Sequence, residues 1–283
     1  MNQLNPYIRL TRLDKPIGIY LLLWPTLWAL VAAAQGIPDW KLLVIFSLGV
    51  VIMRSAGCVI NDFADRKVDG HVKRTNARPL VDGSLTAKQA LNAFALLIVC
   101  AFVLVLFLNR QTILLSFVAV FLATLYPFMK RYTHLPQLFL GAAFSWAIPM
   151  AFMATLQHIP TVAWWLFAAN LFWTMAYDTL YAMVDRDDDL KIGVKSTAIL
   201  FGRFDKAMVF LLQLAMLACC FYAGIILSLQ PIYFTTLGLS LGLFIAHQLS
   251  IKQRTRAACF TAFKQNHYAG LLILFGLMAS YTV

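Results

Sequence analysis

The stretch "VINDFADRKVDG", residues 59–70, ends a long apolar run and sets down three carboxylates, Asp62, Asp65 and Asp69. Asn61 precedes them, and Arg66 and Lys67 lie between. Around this stretch the chain is 61% hydrophobic and 12% charged, with a mean hydropathy of +0.75. Soluble domains carry roughly 25% charged residues, so this composition describes an integral membrane protein. The 283 residues then count spans rather than soluble domains. A row of aspartates at the end of one span needs a reason, because bare carboxylates repel one another.

A helix needs about 20 apolar residues to cross the hydrocarbon core. Nine runs qualify, near 16–34, 41–60, 89–108, 112–129, 137–154, 161–182, 207–228, 231–250 and 266–282. The fold class is therefore all-α and polytopic, with about nine transmembrane helices. The first run has no persuasive cleavage site and is expected to remain as a helix. Connections such as "NRQ" (109–111) and "LQP" (229–231) leave room only for tight helical hairpins.

The net charge of +11 first sets orientation in such a chain, and nucleic acid is not indicated as a partner. With the N-terminus inside, 20 of the 23 Lys and Arg fall on the cytoplasmic side, as the positive-inside rule requires. All twelve acidic residues are Asp, and all but Asp39 fall at or near that same side. Topology does not ask for acids there. The five cysteines show no CxxC spacing and read as packing residues, with neither a zinc site nor a disulfide framework.

On one continuous helix, Asp62, Asp65 and Asp69 follow the spacing i, i+3, i+7 and share a face within roughly 60°, flanked by Asn61. Oxygen donors without Cys or His favour a hard cation, and Mg²⁺ prefers few carboxylates together with water and substrate phosphates. The plainer alternative is a solvated loop whose acids pair with Arg66, Lys67 and Arg74. Arg54 lies eleven residues before Asp65 on nearly the same face, roughly 16 Å deeper. An intramembrane arginine is a functional candidate by default.

Four spans later, "YDTLYAMVDRDDDLKIGVKST" (177–197) repeats the device. Asp178, Asp185 and Asp189, at i, i+7 and i+11, fall within about 40°. Tyr181 lies near that face, Asp188 on its edge and Asp187 opposite, solvated or ion-paired. Two such helix ends four spans apart suggest one domain, 1–283, built of two related four-helix halves plus one helix. Lys73, Arg74, Arg78, Lys130, Arg131, Lys191 and Lys195 supply cations suited to phosphate oxygens. Tyr126 and Lys130, at i and i+4 in "YPFMKR" (126–131), are the best placed. There is no GxxxxGK[ST], GxGxxG or HExxH, and the five histidines are scattered. The sum is a diphosphate site beside an apolar tail pocket.

"NDFADRKVDGHVKRTNARPL" (61–80) and "YDTLYAMVDRDDDLKIGVKSTAILFG" (177–202) resemble the two signature regions of the UbiA superfamily of intramembrane aromatic prenyltransferases. "RLDKPIG" (12–18) and "YPFMKRYTHLPQ" (126–137) extend the resemblance over essentially the whole chain, nearest to the bacterial 4-hydroxybenzoate polyprenyltransferase branch. The resemblance implies nine helices around a central cavity, in a bacterial inner membrane. It implies Mg²⁺ bridging the first motif (Asn61, Asp62, Asp65, Asp69) and the second (Asp185, Asp189) to a polyprenyl diphosphate. Asp62, Asp65, Asp185 and Asp189 would be catalytic. Arg54, Arg78, Tyr126, Lys130, Arg131, Asp178, Tyr181 and Lys191 would bind substrates, with Arg54 or Arg131 on the carboxylate of 4-hydroxybenzoate. Within this class the acceptor could instead be a naphthoate, a homogentisate-like phenol or a haem vinyl group. From another class comes a cation or proton transporter, although transporters set their charges near the midplane.

Overall fold

The computed structural model describes residues 5–71 and 74–282, and every regular element among them is helical. A short amphipathic α1 (Pro6–Thr11) leads into α2 (Ile17–Ala34) and α3 (Trp40–Asp65). Next come α4 (Ala87–Val105), α5 (Arg110–Met129), α6 (Pro136–Ser145) and α7 (Ala147–Leu156). The long α8 (Thr161–Ile192) is followed by the short α9 (Thr197–Phe201), then α10 (Asp205–Ile226), α11 (Pro231–Ser250) and α12 (Arg256–Ser280). Polar caps start several of these helices. Asp39 accepts from the Lys41 amide, Asn109 from Thr112, and Thr86 forms a reciprocal capping box with Gln89.

α6 and α7 together make the expected span 137–154, broken at Trp146. Pro149 explains the break, since it has no N–H to offer the carbonyl of Ser145 one turn back. Buried Asn170 of α8 donates to the Ser145 hydroxyl at 3.0 Å, a polar partner at the interruption.

Among the described residues, seven segments are long and apolar enough to cross a membrane: α2, α3, α4, α5, α6–α7, α9–α10 and α11. The other two expected spans, 161–182 and 266–282, lie within α8 and α12, helices of 32 and 25 residues whose composition is more polar. Their packing accounts for this. α8 is enclosed by α6, α10 and α12 and also meets α2 and α7. A helix walled in by others presents little surface to lipid, so it tolerates Asn170, Thr174 and Thr179, all fully buried. Indole hydrogen bonds tie this centre together: Trp28 donates to the Gly270 carbonyl at 2.9 Å, and Trp173 to Asn266 at 3.2 Å. Trp28 stacks on Trp173, which meets Tyr177 edge-on.

Length positions the site. At 1.5 Å per residue α8 is about 48 Å long, well beyond the roughly 30 Å hydrocarbon core. α3, of 26 residues, also overshoots. Both aspartate motifs lie at the C-terminal ends of these two helices.

Candidate active site

α3 ends at Asp65, and Asp69 opens a separate 3₁₀ turn, Asp69–His71. The expected single-helix stack of three aspartates is therefore corrected: Asp62 and Asp65 share the last helical turn, and Asp69 returns through a loop. The Val68 amide donates to the Asp65 carbonyl at 2.8 Å, and the Thr75 hydroxyl to that of Asp69 at 2.7 Å, which fixes the return. Asp62, Asp65 and Asp69 are only 1%, 2% and 6% exposed.

Their partners are cations from other elements, not the loop neighbours Arg66 and Lys67. Arg12, just past α1, reaches Asp62 at 2.5 Å. Arg78 bridges Asp62 at 3.1 Å and Asp69. Lys130, the residue after α5, pairs with Asp65. Arg66 instead folds over the Phe63 ring, 4.1 Å from its centroid. Burial, with Asp65 and Asp62 adding, holds the Asp69 carboxyl above the usual range despite Arg78. One oxygen each of Asp62 and Asp65 is buried without a hydrogen-bond partner.

The second motif approaches through Arg74. Its guanidinium grips Asp185, with Nε 3.0 Å from Oδ1, donates to the Tyr181 hydroxyl, and lies 4.3 Å from the Tyr181 ring centroid. Thus the loop after the first motif closes onto α8. The Lys195 amide donates to the Lys130 carbonyl at 3.1 Å, joining the connections after α5 and α8. Asp189, half-buried near the C-terminal end of α8 and past the expected span 161–182, has its carboxyl pushed up to about 7 by burial and by neighbouring Asp185. Asp188 turns away from this face: it is buried and accepts from Arg256 at the start of α12 at 3.0 Å. Asp187 has its side chain 77% exposed and lies 3.5 Å from Arg256, the solvated, ion-paired position expected of it.

The remaining candidates divide. Tyr126 donates to the Gly57 carbonyl at 3.4 Å, and Asp178, half-buried in α8, lies against the Gln137 side chain. Arg131 is exposed and holds the Ala64 carbonyl, and Lys191 is exposed at the end of α8. Asn61 is half-buried beside the first cluster. Lys73 lies outside the described residues. The sequence reading missed Arg12, counted only toward orientation, and Gln137, which also accepts from the Thr197 amide at 3.1 Å. "TRLDKPIG" places Arg12 on the right side of the membrane, but spacing along one chain gives no distance between separate helices.

Below the carboxylates lies an apolar cavity of about 470 Å³ between α2, α3, α4, α5, α6 and α7. One face of α3 forms its wall: Phe46, Gly49, Val50, Met53, Arg54 and Gly57 follow helical spacing, and the face continues upward to Asn61 and Asp65. Arg54 is the one charged residue in that lining. Its Nη1 donates to the Cys58 sulfur, and its Nε is buried without a partner.

Among the described residues no three acidic, histidine or cysteine side chains converge as a ready metal cluster. The donor chemistry nonetheless fits a hard divalent ion. The donors are carboxylate oxygens, and two of them, one each on Asp62 and Asp65, are buried and unpaired.

Relatives share both sequence and shape. A 4-hydroxybenzoate octaprenyltransferase of Aliivibrio fischeri (strain MJ11) is 58% identical over 99% of this chain and 98% of its own length. One of Vibrio parahaemolyticus is 58% identical over 97% of both chains. The apo structure of a UbiA homolog from Aeropyrum pernix K1 superposes with a TM-score of 0.81 at 24% identity, covering 93% of this chain and 97% of that one. A homolog from Archaeoglobus fulgidus, bound to GPP and Mg²⁺, gives 0.74 at 17% identity, covering 99% and 100%. The UbiA prenyltransferase family profile matches residues 22–275, and with nine-tenths of its length inside that match this chain belongs to the UbiA prenyltransferase family.

Proposed function

We propose that this protein transfers a polyprenyl group from a polyprenyl diphosphate to the ring carbon ortho to the hydroxyl of 4-hydroxybenzoate, a step of ubiquinone biosynthesis. The observation that carries this is the α3 face: carboxylates ringed by cations at its top, one arginine below them, and an apolar cavity beyond. A diphosphate, an aromatic carboxylate and an isoprenoid tail are the three chemistries such a face accommodates in that order. The relatives, 4-hydroxybenzoate octaprenyltransferases, support both the acceptor and a long, octaprenyl-class donor. An octaprenyl tail exceeds a cavity of about 470 Å³, so part of it lies in the bilayer, past Phe102 and Phe117, cavity-lining residues that are also exposed.

Asp62, Asp65, Asp69, Asp185 and Asp189, with Asn61 beside them, would hold Mg²⁺, the ion named with a solved homolog. When bound, it supplies positive charge to the departing diphosphate. Arg12, Arg74, Arg78 and Lys130 already surround the carboxylates and can turn to the diphosphate oxygens, stabilising the charge that develops as the allylic C–O bond breaks. The phenol ring attacks the resulting allylic cation and then loses its ring proton. Tyr126 and Tyr181 line the approach, and Asp178 lies about one turn before Tyr181 on α8, farther from the second motif. Arg54 holds the benzoate carboxylate; Arg131, exposed, is the less suited of the two expected candidates. Lys191 is left as a peripheral cation for the incoming diphosphate.

The chain is read as one membrane-embedded unit of two four-helix halves, α2 to α5 and α6–α7 to α11, plus α12. In support, each motif follows the second span of its half. The N-terminus and both motifs would face the cytoplasm of a bacterial inner membrane.

The test is to incubate purified protein in proteoliposomes with labelled 4-hydroxybenzoate, prenyl diphosphates of several lengths and Mg²⁺, and to identify the product by mass. A 3-polyprenyl-4-hydroxybenzoate that disappears with EDTA and returns with Mg²⁺, but poorly with Zn²⁺, is expected. Turnover of a naphthoate or homogentisate in its place would overturn the acceptor assignment.

A further inference from the structure

We propose that Gly18 is a positioning residue for the aromatic acceptor, acting through Arg54. Gly18 is the second residue of α2 and is buried. A β-carbon built on it would lie 2.5 Å from Nη2 and 2.7 Å from Cζ of Arg54, and nearer still to Nε. These are distances that β-carbons do not adopt, so the guanidinium lies in the space a side chain would fill. The other side of the group meets Cys58, whose sulfur accepts from Nη1. Gly18 and Cys58 together hold the guanidinium against the cavity wall.

The environment suits an anion that arrives rather than one built in. No carboxylate among the described residues lies within ion-pair distance of Arg54, thiol sulfur is a weak acceptor, and Nε is buried without a partner. A half-buried, under-satisfied guanidinium has a strong demand for a planar two-oxygen ligand, which it meets bidentately if its orientation is fixed. Nearby, a β-carbon on Gly57 would meet nothing within 4 Å, so the space beside Arg54 on the cavity side is open. One glycine therefore makes room for the cation and another leaves room for what the cation binds. Helices favour alanine over glycine, so a buried glycine in α2 is accounted for by this close approach.

This inference rests on the reading of Arg54 as the carboxylate ligand, and the test separates the two. Gly18→Ala, Arg54→Ala and the double variant are compared by steady-state kinetics, with the acceptor KM and the donor KM measured for each. Arg54→Ala leaves no internal carboxylate unpaired, so it is expected to fold and to raise the acceptor KM ten- to hundredfold, with the donor KM within twofold. Gly18→Ala is expected to raise the acceptor KM about tenfold, again sparing the donor. In the Arg54→Ala background it should add nothing, because no guanidinium remains to displace. Unchanged acceptor KM in Arg54→Ala would overturn the Arg54 reading and this inference with it. A normal acceptor KM in Gly18→Ala alone, or an equal Gly18→Ala penalty with and without Arg54, would overturn the role of Gly18 only. If Gly18→Ala fails to fold, Arg54→Ala should restore folding by relieving the clash; a double variant that also fails to fold refutes the proposal.

Discussion

α3 releases its helix at Asp65 and folds the chain back over its own end, whereas α8 carries its aspartates outward on an unbroken helix to Ile192. The difference governs how each cluster is held. At the first, three buried carboxylates meet Arg12, Arg78 and Lys130, drawn from beyond α1, the returning loop and the end of α5. At the second, among the described residues, Asp185 alone is tied to the opposite motif, by Arg74. Asp188 anchors α8 to Arg256 at the start of α12, while Asp189 stays half-buried. Asp205, fully buried between Arg186 and Arg254, adds a similar anchor at the start of α10. One cluster is thus a fixed platform, and the other divides its acids between the site and the scaffold.

The sharpest contrast should appear when carboxylates are removed. Asp62→Ala and Asp65→Ala should each lower transfer by about 10²–10³-fold. They should also depress the melting temperature, since each leaves a half-buried cation, Arg12 or Lys130, without its carboxylate. Asp185→Ala should lose comparable activity with little change in melting temperature, because its partner Arg74 reaches water. Equal destabilisation at both ends would erase the distinction between platform and open cluster.

Lys130→Ala comes next. Its ammonium pairs with Asp65, and its carbonyl accepts from Lys195 after α8, so the side chain belongs to the first cluster while the backbone joins the second. An increase of about 10²-fold in the diphosphate KM is expected, with the acceptor KM nearly constant, as fits the loss of a charge-assisted contact to phosphate. Steady-state kinetics with both substrates varied would show it. A rise confined to the acceptor would move Lys130 out of the diphosphate site.

A smaller effect is expected deeper along α3. A β-carbon on Gly49 meets nothing within 4 Å and Gly49 lines the apolar cavity, so Gly49→Leu takes up part of that cavity. Competition between short and long prenyl diphosphates, read by product mass, should shift about fivefold toward the shorter donor, since one well-placed hydrophobic group alters discrimination by about 1–3 kcal/mol. The smallest effect belongs to Asp187→Ala. An exposed pair such as Asp187–Arg256 contributes about 0–1 kcal/mol, so transfer should stay within about twofold. A loss matching that of Asp185 would put Asp187 in the site and break the assignment of faces along α8.

The apolar runs, the spans they mark and the two groups of aspartates were legible in the sequence, because burial in lipid and helical periodicity are written in residue type and spacing. The charged residue deep in α3 was legible for the same reason: an arginine in an apolar run stands out wherever the helix packs. Even the opposite faces of Asp185 and Asp187 followed from α8 being one straight helix. What spacing could not supply were the distances between elements. Arg12 beside Asp62, Arg74 across to Asp185, and Gln137 against Asp178 are contacts between segments far apart in the chain, set by how helices pack rather than by any local pattern. The end of α3 at Asp65 was likewise a tertiary decision, since Arg78 ties Asp69 of the returning loop to Asp62 of α3 where periodicity alone would have continued the helix. Residue type fixed which groups sit at the membrane face, and packing fixed which of them meet, because a helix determines the direction of its own side chains but not the position of its neighbours.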